Sequence, residues 1–212
     1  VAVGHLAGAG SFAFHQPFGD PALRATSLKR EKENEPPMPH ILTGAPGAGK
    51  TVILRGLERA GLPVVEEAAT DVIAWQQALG VAEPWTDPAF INDILSLQIL
   101  RQDRAPPDAI LDRSPICTLA LARFLGFDPP ERLLAEVART TQAQSVGRRP
   151  CVLFVESLPT IVNTPARRID LSEALRFGAL HAETYRALGF DLIPIPPAPV
   201  PERVAMVLDR LP

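Results

Sequence analysis

The run Gly44-Ala45-Pro46-Gly47-Ala48-Gly49-Lys50-Thr51 constrains this chain more than any other stretch. It satisfies G-x-x-x-x-G-K-[ST] at every position. Glycines at those places let the backbone curl until successive N–H groups point inward, a concavity that suits phosphate oxygens. From such a loop Lys50 reaches β- and γ-phosphates, and Thr51 offers a hydroxyl to Mg²⁺. Ile41-Leu42 just before it reads as a strand, and Val52, Ile53, Leu54 and Leu57 just after it begin an amphipathic helix. The N-terminus of that helix adds partial positive charge at the same spot. Strand, loop and helix in this order are the setting the motif requires. All eight residues, Gly44 through Thr51, are therefore expected to hold a nucleotide.

The 212 residues suit one domain with a core large enough to be stable alone. A formal net charge of −3 provides no global field for nucleic acid or an anionic membrane, so a polyanion must be gripped locally. Cys117 and Cys151 lack metal-ligand spacing and read as buried free thiols of a reducing compartment, which points to the cytoplasm. No apolar run reaches the roughly 18 residues of a membrane span. Residues 1–37 differ from the rest: Val1 to Gly19 is rich in Gly, Ala, Phe and His without a period, and Ser27 to Pro37 is charged and ends in prolines. Either Met38 is the natural start or residues 1–37 form a flexible leader, the alternative being a small extra element packed on the core; 38–212 is expected to be the nucleotide-binding domain. His5, His15 and His40 are too scattered to read as a metal site.

Five apolar runs have strand length: 40–43, 62–66, 109–112, 151–156 and 190–195. Between and after them, helical patterns cover 50–60, 67–79, 88–103, 116–125, 130–143, 172–188 and 201–210. Gly61, Gly80, Gly126 and Gly189 punctuate these segments. Strands separated by helices predict an α/β fold, with a mostly parallel sheet covered by helices on both faces.

Four further features carry chemistry. Asp112 ends an apolar strand, where a carboxylate serves Mg²⁺ directly or through water. The alternative is a cap on the next helix, for which Ser114 before Pro115 is better placed. Arg113 beside it can hold a phosphate or a substrate hydroxyl bidentately. Glu66 and Glu67 end the second strand, at the edge where ligands sit in open parallel sheets. There a carboxylate, Glu66 ahead of Glu67, could accept a proton from an attacking hydroxyl, or the pair could simply favour a helix dipole. Arg167-Arg168, on a loop before a helix, suit a lid that stabilises charge in phosphoryl transfer, or a solvated basic turn. Trp85, between prolines, can wall a substrate base or plug the loop beneath it. Asp87 reads as a helix cap, and Glu156 as a more distant acid at the same edge.

Taken together these pieces resemble a family of P-loop proteins described as AAA-like ATPases, related to the ribosylnicotinamide kinase domain. The resemblance rests on GAPGAGKT at 44–51, VVEE at 64–67, PWTDPAF at 84–90, ILDRS at 110–114, RRIDLSEA at 167–174 and LGFDLIPIP at 188–196. It covers residues 39–197. It implies a P-loop NTPase three-layer sandwich with a five-stranded parallel sheet in order 2-3-1-4-5. It also implies ATP with Mg²⁺ and a lid carrying Arg167 and Arg168. By likeness to nucleoside kinases, the acid ending the second strand is the base, and Asp112-Arg113-Ser114 serves metal and substrate. Relatives often have an arginine where this chain has Ala69 and Thr70. They often read Asp-Arg-Gly, where Asp112-Arg113-Ser114 looks more like deoxynucleoside kinases.

The leading expectation is transfer of the ATP γ-phosphoryl group to a small hydroxylated acceptor such as a nucleoside, by a monomer or homodimer. Lys50, Glu66, Arg113, Arg167 and Arg168 would carry the chemistry, and Thr51 and Asp112 the metal. The alternative is a nucleotide-dependent switch or regulatory ATPase with a protein or lipid partner. A G-protein would need an Asn-Lys-x-Asp element, which is missing, and a hexameric motor would need a longer chain. A kinase requires a closed pocket beside the γ-phosphate; a switch would show a flat surface there.

Overall fold

In the sheet, each strand hides alternate residues against helices on opposite sides. The computed structural model describes residues 39–145, 149–158 and 170–211. The expected leader and Arg167-Arg168 lie outside these residues. Five strands, β1 (His40–Gly44), β2 (Val64–Val65), β3 (Ile110–Asp112), β4 (Cys151–Val155) and β5 (Asp191–Ile195), pair in order β2-β3-β1-β4-β5, every pair parallel. Among the described residues seven α-helices accompany them: α1 (Lys50–Arg59), α2 (Ala69–Ala78), α3 (Ala89–Arg104), α4 (Pro115–Leu125), α5 (Glu131–Gln144), α6 (Leu171–Ala187) and α7 (Val200–Leu208). This is the expected α/β sandwich.

Ile41, Leu111 and Val152 pack with Ile91, Leu95, Ile116, Leu119, Leu133 and Tyr185 on the α3–α6 side. Their neighbours Leu42, Ile110 and Leu153 pack with Ile53, Leu54, Leu57 and Val207 on the α1–α7 side. Because both faces are covered, the central strands are apolar at consecutive positions. Burying each such side chain contributes about 2 kcal/mol, which is ample to hold helices on both faces.

Local signals set the helix ends. Ser114 accepts the Ile116 N–H at 3.2 Å, and Gly126 at φ 78° ends α4. Asp170 and Glu173 form a reciprocal cap at the start of α6, with the Glu173 N–H donating to Asp170 Oδ1 at 2.8 Å. Asp87 accepts the Ala89 N–H at 2.8 Å, as the cap reading expects.

Three details depart from the sequence reading. The second strand is only two residues long, because Pro63 has no N–H and contributes only its carbonyl, 2.9 Å from the Ile110 N–H. A short 3₁₀ turn at Pro84–Thr86 carries Trp85. Cys117 is buried as expected, but Cys151 is only half-buried, since it pairs with exposed Asp191 on the edge strand β5.

Two glycines bring backbone against neighbours. A Cβ at Gly56 in α1 would stand 2.5 Å from Val204 Cγ2 in α7. A Cβ at Gly178 in α6 would stand 2.9 Å from the Ala45 Cβ. One helix from each face thus closes on the segment that follows β1.

Candidate functional site

The loop after β1 takes its shape from backbone conformations that only glycine enters cheaply. Gly44, Gly47 and Gly49 have φ of 138°, 78° and 88°. At Gly44 a Cβ would also lie 2.2 Å from the Val155 carbonyl oxygen, so a side chain has no room there. Lys50 opens α1 and is buried, and its Nζ donates to the carbonyls of Gly44 at 3.2 Å and Ala45 at 3.0 Å. Thr51 beside it is exposed.

Asp112 lies at the same sheet edge. It ends β3, is buried, and sits opposite Leu42 in the β1–β3 register, two residues before Gly44. Among the described residues no cluster of three His, Cys, Asp or Glu could cage a metal. Mg²⁺ needs no such cage; one carboxylate, one hydroxyl, waters and phosphate oxygens satisfy it. Thr51 and Asp112 are hard oxygen donors of that kind.

The sharpest electrostatic feature joins three elements. Arg113 follows β3 with φ 77°, a left-handed conformation rare outside glycine. Its Nε donates to Glu67 Oε1 at 2.5 Å, and its Nη1 donates to His181 Nε2 of α6 at 2.8 Å. His181 is fully buried, and its Nδ1–H donates to the Phe177 carbonyl at 2.8 Å. Burial, and then the charge of Arg113, hold the imidazole well below its usual pKa, so it is the neutral acceptor this bond requires. Burial pushes the Glu67 carboxyl up, but Arg113, Lys50 and the hydrogen bonds from Thr70 and Arg113 outweigh it and hold it at about 2. Burial opposes the Arg113 charge, yet Glu67 above all keeps its pKa above the usual value. Lys50, Glu67, Arg113 and His181 thus form one charge-coupled group.

The two acids of strand two part company. Glu66 is half-exposed and pairs with Arg55 on the outer side of α1, whereas the Glu67 side chain is only 17% exposed and faces Arg113. Arg101 of α3 fixes the turn that separates them, donating to the carbonyls of Glu66 at 3.2 Å and Glu67 at 2.7 Å and pairing with Asp71.

A cavity of about 320 Å³ runs from Pro46 in the glycine loop past Glu67 and Arg113. Ile73, Trp85, Phe90, Leu121, Phe124 and Phe177 supply apolar walls, and Gln98, Thr118 and Glu173 polar points. Thr118 Oγ1 donates to Gln98 Oε1 at 3.1 Å, which fixes the amide of this buried side chain. Phe124 and Phe177 stack with ring centroids 4.6 Å apart. Trp85 lines the cavity and also packs against the Phe90–Ile94 cluster, so wall and plug are one residue.

The structure therefore brings together the loop 44–51, Asp112, Arg113 and Glu67, and turns Glu66 away. His181, Gln98, Thr118 and Arg101 had no motif to announce them. Each is an ordinary polar residue in a helical pattern, and only the packing of α3, α4 and α6 shows its use. Glu156 contributes its backbone, its N–H donating to the Ile195 carbonyl at 3.0 Å and its own carbonyl accepting from Arg203.

Comparison with known proteins bears on the family and the fold. Residues 39–203 match the model of a family described as an AAA domain. No curated protein matches the chain in sequence. Among solved structures the NadR protein in complex with NR superposes at a TM-score of 0.55 with 17% identity, over 82% of this chain and 50% of that one. The chain thus spans half the length of that NadR protein. Deoxyadenosine kinase from M. mycoides superposes with TM-scores of 0.52 and 0.53 in two structures, at 12% and 13% identity, over 82% of this chain and 98% of the kinase. At such identities the likeness establishes a shared fold.

Proposed function

The chain belongs to the AAA domain family that its residues 39–203 match, and from that premise we propose that it transfers the γ-phosphoryl group of ATP to a small hydroxylated acceptor. Residues 44–51 hold the β- and γ-phosphates through backbone N–H groups, and Lys50 swings from its loop carbonyls to the phosphate oxygens. Thr51 and Asp112 would hold Mg²⁺, which when bound would neutralise phosphate charge. The acceptor occupies the cavity beside Pro46, with its hydroxyl toward Glu67 and Arg113. We assign the proton-accepting role to Glu67 rather than Glu66, because Glu67 lines the cavity and Glu66 does not. A carboxylate of such low pKa is a weak base. Phosphoryl transfer tolerates this, since its loose transition state asks for positioning and electrostatics before proton removal. Arg113 holds Glu67 in place and stands ready to meet charge on the moving phosphoryl group. Arg167 and Arg168, as a lid, extend that reading beyond the described residues.

The observation that carries the proposal is the half-open, mainly apolar cavity joining the glycine loop to a largely buried Glu67–Arg113 pair. A nucleotide switch would show a flat surface there, whereas this one is concave and mainly apolar. The NadR structure holds NR and the M. mycoides protein is a deoxyadenosine kinase, so nucleosides head the acceptor panel. The test is ADP release from Mg·ATP with and without that panel. Stimulation by an acceptor, with a phosphorylated product seen by mass spectrometry, is expected. Slow hydrolysis that no acceptor alters overturns the kinase reading in favour of the regulatory ATPase.

A further inference from the structure

Arg203, in α7, is among the largest fully buried side chains, at 2% exposure. The mechanism above makes no use of it. Its Nη1 donates to the Ala48 carbonyl at 2.7 Å, and its Nη2 to the carbonyls of Glu156 at 3.0 Å and Ile195 at 3.3 Å. These partners belong to three segments: the glycine loop, the residue after β4 and the end of β5. Nη1 also lies 3.1 Å from where a Cβ on Gly49 would stand, so the guanidinium rests against the loop backbone.

A loop that aims its N–H groups inward must turn carbonyls outward. At Ala48 that carbonyl meets the protein interior, where an unpaired acceptor is costly. A neutral donor could satisfy it. A guanidinium is a costly choice, because burying a cation is unfavourable unless something uses it. Its planar fork reaches carbonyls on opposite sides, which a lysine ammonium, a single point of donors, cannot. It also carries positive charge to the back of a nest built for anions.

We propose that Arg203 is a positioning residue for polyphosphate binding: it ties the outward carbonyl of Ala48 to the ends of β4 and β5 and sets a buried cation behind the glycine loop. The assignment rests on the phosphate-binding reading of residues 44–51. It specifies that the neighbouring α7, and not the loop alone, sets affinity for nucleotides with more than one phosphate.

The test uses the full chain, R203Q and R203K, titrated with fluorescent adenosine tri-, di- and monophosphate analogues in Mg²⁺. R203Q is expected to weaken the tri- and diphosphate by about tenfold, the scale of losing hydrogen bonds from a charged group. The monophosphate should change by less than about twofold, a few tenths of a kcal/mol. R203K, which keeps the charge but not the fork, should fall between. Amide hydrogen exchange across 44–51 should quicken in both variants without nucleotide, while β1 and β4 stay protected. Equal losses for all three nucleotides, or a lower melting temperature with unchanged affinities and loop exchange, would make Arg203 a structural residue only and overturn the assignment. If R203Q does not fold, R203K decides by the same ratio of affinities. Failure of the wild-type chain to bind any triphosphate overturns the phosphate site itself, and this assignment with it.

Discussion

The glycine loop and the cavity beside it are built on opposite plans. The loop is eight consecutive residues whose working groups, on the proposed reading, are backbone N–H groups, and its side chains mainly permit a shape. The cavity draws Glu67, Gln98, Arg113, Thr118, Glu173 and Phe177 from turns and helices spread over more than a hundred positions, and its working groups are side chains. Backbone chemistry has to be contiguous, because curvature is local. Side-chain chemistry has to be assembled, because a buried ion pair needs walls from several directions. A defect in the loop should therefore abolish nucleotide use altogether, whereas a defect in the cavity should leave nucleotide bound and the acceptor unreacted.

Variants can break or sharpen that contrast. The largest loss is expected from K50M, about a thousandfold in phosphoryl transfer, the upper range for removing one donor that meets developing charge. Steady-state kinetics and nucleotide titration should both register it. E67Q should cost about a hundredfold in kcat, the lower end for a positioned acid–base group. Its nucleotide affinity should stay unchanged, and a parallel loss of affinity would erase the distinction between the two regions.

Stability should follow pH in two separate windows, read by thermal melts. The folded chain keeps His181 neutral, whereas the unfolded chain takes up a proton below its ordinary value of 6.5. Stability held by the neutral ring is present above that value and lost as pH falls through it, so the wild type should lose a few degrees there and H181N should not. Glu67 titrates in the folded chain at about 2 against an ordinary 4.5. Its contribution is complete above 4.5 and fades as pH falls toward 2, so the melting-temperature gap between wild type and E67Q should close across that window. The smallest effect belongs to E66Q, which only loosens a half-exposed pair with Arg55. Its kcat should stay within about twofold of wild type, since exposed pairs contribute about 0–1 kcal/mol.

Much of the architecture is legible before any coordinates. Apolar runs and glycine stops mark five strands and seven helices, because buried parallel strands and amphipathic helices have distinct periods. What the letters leave open is orientation. Val64-Val65-Glu66-Glu67 places two acids at the right edge, but which one turns inward depends on partners far away: Arg55 draws one outward and Arg113 holds the other. His181 and Arg203 look like ordinary polar residues on amphipathic helices. Their burial follows from where α6 and α7 land on the sheet, which no local pattern states. Arg113 is the opposite case: its residue type was readable, but its left-handed backbone was not.

The close approaches at Gly56 and Gly178 carry a last consequence. An octapeptide with the letters of residues 44–51, cut free, would keep its glycines yet have neither layer to brace it, and it would sample countless shapes that grasp nothing. The loop's shape is a property of the stacked sandwich, held by two tight seams. Anyone grafting this octet into another scaffold would have to bring both seams along.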